Sequence, residues 1–278
     1  MIFMNQRVVR TAMTLRSPQT KTGLNIRVRL RDGCSYFGPM KKLLVILTTI
    51  IALSGHLSAK EGVILLHGLC RSSASMVKMA NALQKAGYVV ENVDYPSRTA
   101  AIRNLAEQAI GSAIKKKQMQ DCSKIHFVTH SMGGILVRSY FSKRKDSRLG
   151  RVVMLAPPNQ GSEVVDKIGS WRLFRWINGP AGRQLNTKLD SPPHALGKIH
   201  FECGVITGDR SINWINSLLI PGKDDGKVSV ARSQCAGVKD HRVFHVTHPY
   251  IMKNRKVISE VIHFLKRGHF SKPEPNRK

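Results

Sequence analysis

The sequence predicts an α/β fold, with a mostly parallel central sheet, helices on both faces and a lid-like insertion. Three observations lead there. Short apolar runs alternate with amphipathic stretches from residue 62 to residue 265; a serine stands between a strand and a helix in Thr129-His130-Ser131-Met132-Gly133; and two long segments, 157–200 and 208–239, interrupt the alternation. Apolar strands alternating with one-sided helices are what a parallel sheet covered on both faces requires.

The elements follow in order. Gly62 to Leu66 reads as the first strand, and Met76, Met79, Ala80, Leu83 and Ala86 lie at helical spacing in a helix from Ser75 to Ala86, which Gly87 ends as a C-cap. Tyr88 to Val93 is the second strand. A helix over 100–117 places Ile102, Leu105, Ala106, Ala109, Ala113 and Ile114 on one face. Ile125 to Thr129, Val152 to Leu155, Phe201 to Thr207 and Val243 to Val246 are the remaining strands, and Val257, Ile258, Val261, Ile262 and Leu265 mark a closing helix. The insertion carries Trp171, Leu173, Phe174, Trp176 and Ile177 among Arg172, Arg175 and Arg183, the composition of an amphipathic element that covers a site or touches lipid; the alternative is plain packing of the tryptophans on the core.

The 278 residues, 42% of them hydrophobic, suffice for one core. Four segments are expected: a basic non-domain extension over 1–39, a signal peptide over 40–59, the α/β domain over 60–270 with the lid-like insertion at 157–200, and a polar tail over 271–278. Met40-Lys41-Lys42, the apolar run Leu43 to Leu53 and the short polar stretch ending at Ala59 have the order of a secretory signal. Residues 1–39 hold seven-fold basic punctuation from Arg7 to Arg31 with Asp32 as their acidic residue, which fits either a start of synthesis at Met40 or a long targeting arm. An exported product, periplasmic or extracellular, is the expectation. In such a compartment Cys70, Cys122, Cys203 and Cys235 can pair, with Cys203–Cys235 preferred because both lie near adjacent strands; four reduced thiols are the alternative.

Lys and Arg number 45 against 17 Asp and Glu, a formal net charge of +28, which favours anionic partners such as a membrane surface. Zinc-ligand pairs and RNP-like aromatic strands are missing from the sequence, so no specific nucleic-acid module is read and a zinc site has little support.

The chemistry centres on Ser131. A sharp strand-to-helix turn exposes the hydroxyl and leaves little room beside it; Gly133 meets that need, whereas Thr129 occupies the position where a glycine is usual. The Met132 N–H, at a helix start, points to a developing oxyanion, and Gly68 in His67-Gly68-Leu69 permits an unusual backbone angle that aims the Leu69 N–H at the same place. Serine needs a base and a carboxylate that orients it. His248, in the loop after the last strand, has the freedom that His241 and His245 lack. Among Asp209, Asp224 and Asp225, the last is favoured because Gly226 follows it and Val228 returns the chain to the core.

With these residues in hand the chain resembles the α/β-hydrolase superfamily from about Glu61 to Arg267, and is similar within it to bacterial lipases and GPI-inositol-deacylase-like lipases. The motifs are Leu66-His67-Gly68-Leu69, Thr129-His130-Ser131-Met132-Gly133-Gly134, Ala156-Pro157-Pro158-Asn159-Gln160-Gly161-Ser162, Asp224-Asp225-Gly226-Lys227-Val228 and Thr247-His248, in the family's order of Ser, Asp, His. The resemblance implies ester hydrolysis through an acyl-enzyme without a cofactor, a lipid or acyl amphiphile as substrate, and a lid where Trp171 to Ile177 lie. Thioesterase, amidase and acyltransferase chemistry use the same three residues, and a non-catalytic envelope-binding protein is the reading from another class.

Overall fold

A computed structural model describes residues 59–272. The expected basic extension 1–39, the signal-like segment up to residue 58 and the tail from residue 273 lie outside the described residues.

Six strands form one sheet: β1 (Glu61–Leu66), β2 (Val89–Val93), β3 (Lys124–His130), β4 (Leu149–Leu155), β5 (Cys203–Gly208) and β6 (Asp240–Phe244). Their spatial order is β2-β1-β3-β4-β5-β6, and every pairing is parallel. Parallel strands require crossovers, which helices supply. These are α1 (Val77–Lys85), α2 (Ile102–Ala106, continued by a π turn Glu107–Gly111 and by Ser112–Ile114), α3 (Lys117–Gln120), α4 (Met132–Phe141), α5 (Glu163–Ile168), α6 (Arg172–Arg183), α7 (Pro192–Ala195), α8 (Trp214–Leu219), α9 (Val230–Ser233) and α10 (Arg255–Arg267).

The core divides along the two faces of the sheet. In β1, Val63 and Leu65 pack with Met79 and Leu83 of α1 and with Val261 and Leu265 of α10. Ile64 and Leu66 face the other way, against Leu105 of α2 and Ile135 and Leu136 of α4. Alternation along a strand buried on both faces gives a continuous apolar run, the pattern that made β1, β3 and β4 legible. Burying each of these side chains contributes about 1.5–3 kcal/mol.

Differences from the sequence expectations lie at the periphery. The last strand is Asp240–Phe244 rather than 243–246. It is an edge strand whose first residues are polar and only partly buried, so apolarity misplaces it and leaves His245 to Thr247 in the following loop. α8 was missed because Ile215 and Leu218 lie exposed and give no buried stripe. All four described cysteines carry free thiols, so the preferred Cys203–Cys235 pairing is absent here; Cys203 is wholly buried in β5, which pushes its thiol pKa upward. Among the described residues, no helix is long and apolar enough to cross a membrane.

Candidate active site

β1 sends its crossover to β2 on one side, and β2 sends its own to β3 on the other. The carboxyl ends of β1 and β3 therefore flank a topological switch point, where open parallel sheets leave a crevice. His67 to Arg71 leave β1 there, and Ser131 leaves β3.

Ser131 has φ 53° and ψ −122°, a conformation that costs a non-glycine residue about 1–3 kcal/mol. Its amide donates to the Leu155 carbonyl at 2.8 Å, and its carbonyl accepts from Gly134 N–H at 3.0 Å, which pins the turn between β4 and α4. Gly133 is required by space: a Cβ there would stand 2.8 Å from the Leu66 carbonyl oxygen. Thr129 fits because it is still an ordinary strand residue, in register with Leu66 on one side and Met154 on the other. The crowding falls on the helix side of the serine.

His248 and Asp225 meet below the pocket. His248 Nδ1–H donates to Asp225 Oδ2 at 2.7 Å, and the two residues are also joined through the backbone, His248 N–H to Asp225 carbonyl at 2.9 Å. Asp225 is fully buried, and its other carboxylate oxygen accepts the amides of Lys227 (3.1 Å) and Val228 (2.9 Å). Bonds of this kind satisfy the acceptor capacity of a carboxylate held out of water. Holding Nδ1–H leaves Nε2 free to accept a proton. Ser131 and His248 line one pocket of about 220 Å³, and the Ser131 hydroxyl is not hydrogen-bonded to a described residue; resting sites of this type often have loose nucleophile–base contacts.

The same pocket is lined by Leu69, Cys70, Phe174, Asn178, Val164, Val165, Leu185 and Val228. Phe174 and Asn178 are one turn apart on α6, so this helix covers the pocket while Trp171, Leu173 and Trp176 point outward at 62%, 63% and 75% exposure. Tryptophan packing on the core is therefore not what the insertion does. α6 breaks at Gly179 (φ 62°) before Pro180. Neither Leu69 N–H nor Met132 N–H bonds to another described residue, which leaves both amides available to an oxyanion. Gly68 serves differently from expectation: the positive φ belongs to Cys70 (56°), and Gly68 is needed because a Cβ would stand 2.8 Å from His130 Nδ1 and 3.1 Å from Ser131 Cβ.

The remaining alternatives are engaged elsewhere. Asp209 faces the exposed His245 at 3.0 Å, Asp224 accepts from the Gly226 amide and the Ser217 hydroxyl, and His241 Nε2 lies 2.9 Å from the Thr207 hydroxyl. Two contributors had escaped the sequence reading. His130 Nε2–H donates to the His248 carbonyl at 3.0 Å; burial, with the nearby His248 and Arg71, holds its pKa well below the usual imidazole range, so the ring is neutral. Arg138, buried in α4, donates to Asn159 and to the Gly197 carbonyl, while Asn159 donates to Ser233 and the Ser162 hydroxyl to the Lys227 carbonyl. This chain of bonds ties the Ala156–Ser162 motif to the loop that carries Asp225. Its components are far apart in sequence, and an arginine in an apolar helix gave no signal of its role.

A hollow of about 730 Å³ opens at the other end of the sheet, lined by Lys124, His126, Phe141, Lys143, Lys145 and Glu202 among others. Its lining includes Ser142, His126 and Glu202, but Ser142 Oγ donates to the Ser139 carbonyl and His126 Nδ1 accepts the Arg151 amide, so these groups are not joined as Asp225 and His248 are. The serine on the strained turn and the histidine bonded to Asp225 line the smaller pocket.

The six-stranded parallel sheet and its connectivity have the α/β-hydrolase fold. Residues 62–192 match the family model of palmitoyl protein thioesterase. No curated protein sequence gives a significant match. Among solved structures the chain is similar to the mature lipase BlEst2 of Bacillus licheniformis, with a TM-score of 0.58 and 20% identity over 75% of this chain and 93% of that one. It is also similar to lipase B of Aspergillus fumigatus, with a TM-score of 0.57 and 14% identity over 80% of this chain and 56% of that one. The metagenomic carboxyl esterase MGS0156 gives 0.51 and 17%, covering 70% and 66%.

Proposed function

We propose that the protein is a serine hydrolase that cleaves carboxylic esters of a lipid or another acyl amphiphile through an acyl-enzyme. The observation that carries this reading is Ser131 on a strained turn in the same pocket as a histidine whose Nδ1–H is held by a buried carboxylate. In the proposed reaction Ser131 Oγ attacks the acyl carbon as His248 Nε2 takes its proton, and Asp225 stabilises the imidazolium. Leu69 and Met132 amides stabilise the oxyanion, each donor worth about 2.7–4 kcal/mol in comparable sites. The bond to the leaving oxygen then breaks and His248 returns the proton to it; water, activated by the same histidine, releases the acid.

A thioester is the second reading, supported by the match of residues 62–192 to palmitoyl protein thioesterases. The attack is identical and a thiol leaves instead of an alcohol. Exported action at an anionic membrane is part of the proposal: Trp171, Leu173 and Trp176 stand exposed beside Arg172 and Arg175, a composition suited to the lipid interface. Fluorophosphonate labelling of the purified protein, with Ser131→Ala and His248→Ala alongside, tests the mechanism, and p-nitrophenyl esters of rising chain length test the substrate. Labelling and turnover in the native chain, lost in both variants, are expected. A folded native protein that takes no label removes the catalytic reading and leaves binding to an anionic envelope surface as the function.

A further inference from the structure

The pocket is chemically two-sided. Val164, Val165, Phe174, Leu185 and Val228 form an apolar wall, and Arg71 and Lys227 line the same space with exposed side chains. Arg98 is close by: its guanidinium donates to the Trp176 carbonyl of α6, and its charge acts with those of Lys227 and Arg71 on the Cys70 thiol, opposing the upward push of burial. Two cations thus line the pocket of the nucleophile, and a third stands by Cys70 at its rim.

The carboxylates of this edge do not neutralise them. Asp225 is committed to His248, Asp224 to the Gly226 amide, Asp209 to His245 and Asp94 to the Ser73 amide. Among the described residues none of Arg71, Arg98 and Lys227 has an ion-pair partner, whereas Arg151, Arg232 and Lys239 elsewhere do. Among the described residues, no acidic side chain lines the pocket. Unpaired cations converging on an apolar cleft raise the local concentration of anions and leave a neutral substrate without a partner for them.

We infer that the pocket selects acyl substrates whose leaving group carries a phosphate or comparable anion, the acyl chain lying against the apolar wall and the anion held by Arg71 and Lys227 with Arg98 beside them. This rests on the hydrolase reading above and narrows its substrate. An acyl glycerol phosphate and an acyl-coenzyme A thioester share this chemistry; in either, the acyl carbon bonds to Ser131 Oγ and the phosphate-bearing alcohol or thiol departs with the proton from His248.

The test measures kcat/KM of the full chain on three substrates with one decanoyl chain: 1-decanoylglycerol, 1-decanoylglycerol 3-phosphate and decanoyl-coenzyme A. At low salt at least one anionic substrate is expected to exceed the neutral one by about tenfold or more, the scale of one or two surface charge contacts. Roughly 0.5 M salt should shrink that ratio. Arg71→Gln with Lys227→Gln should bring the ratio near one, whereas Lys143→Gln with Lys145→Gln, an equal loss of charge at the far hollow, should leave it in place. A ratio near one in the native chain, or a ratio equally sensitive to both double variants, overturns the inference while ester turnover and fluorophosphonate labelling keep the hydrolase reading alive. No turnover and no label on a folded chain removes both. The two anionic arms separate an ester from a thioester.

Discussion

The two ends of the sheet differ in the opposite sense from their sizes. The amino end has the larger hollow, about 730 Å³, yet its buried histidine and its glutamate are paired: His126 accepts the Arg151 amide and faces Glu61, and Glu202 binds both Arg151 and Lys239. The carboxyl end has the smaller pocket, about 220 Å³, but concentrates positive φ at Cys70, Ser131 and Ala156, two unbonded amides and a buried carboxylate–histidine pair. Strain and uncommitted polar groups, held in place by surrounding bonds, mark the end where chemistry is placed.

The largest expected effect breaks the comparison at its centre. Ser131→Ala should lower ester turnover by about 10⁴–10⁶-fold with the far-ultraviolet circular dichroism unchanged, while Lys143→Ala at the amino end leaves turnover as it was. Equal losses in both variants would show that volume, not strain, had marked the site.

Asp225→Asn comes next. Loss of the charge that orients and stabilises His248 should lower kcat by about 10³–10⁴-fold. The amides of Lys227 and Val228 also lose a charged acceptor, so urea unfolding should report a stability loss of about 1–3 kcal/mol. A kcat within tenfold of native would remove Asp225 from the proposed mechanism.

Gly133→Ala tests the crowding. With its Cβ 2.8 Å from a backbone oxygen that cannot swing aside, the substitution should cost about 1–3 kcal/mol of stability and displace the serine turn. Denaturant midpoint and labelling rate should fall together.

The smallest effect concerns pH. Burial depresses the pKa of His130 below its unfolded 6.5, so below that pH the unfolded chain binds the extra proton. The stabilising contribution is complete above pH 6.5 and is lost as pH falls, by at most about 1.4 kcal/mol per unit. His130→Gln, which keeps a donor to the His248 carbonyl, should flatten the stability profile between pH 6.5 and 5. His126 at the amino end is depressed by burial too, but Glu61 pulls it back, so His126→Gln should flatten the profile less. Urea titrations across that range decide it.

Legibility followed the length scale of the interaction. β1 and β3 were readable because strands buried on both faces are continuously apolar, and Ser131 was readable because its turn needs neighbours within two residues. β6 and α8 were not, since an edge strand with polar residues and a helix exposing Ile215 and Leu218 have no buried pattern to display. Asp225 could be ranked above Asp209 and Asp224 by its following glycine, but its pairing with His248 depends on two loops separated by a strand.

By itself the sequence determined the α/β architecture, the position of the strand–serine–helix turn and the excess of positive charge, because each is a matter of local periodicity or composition. Only the tertiary structure decided that Asp225 rather than its neighbours reaches His248, that Gly68 answers to space rather than to φ, that His130 and Arg138 brace the loops, and that Arg71, Arg98 and Lys227 converge unpaired beside the pocket. These depend on contacts between residues tens to more than a hundred positions apart, and such contacts are set by which strands lie side by side in the sheet.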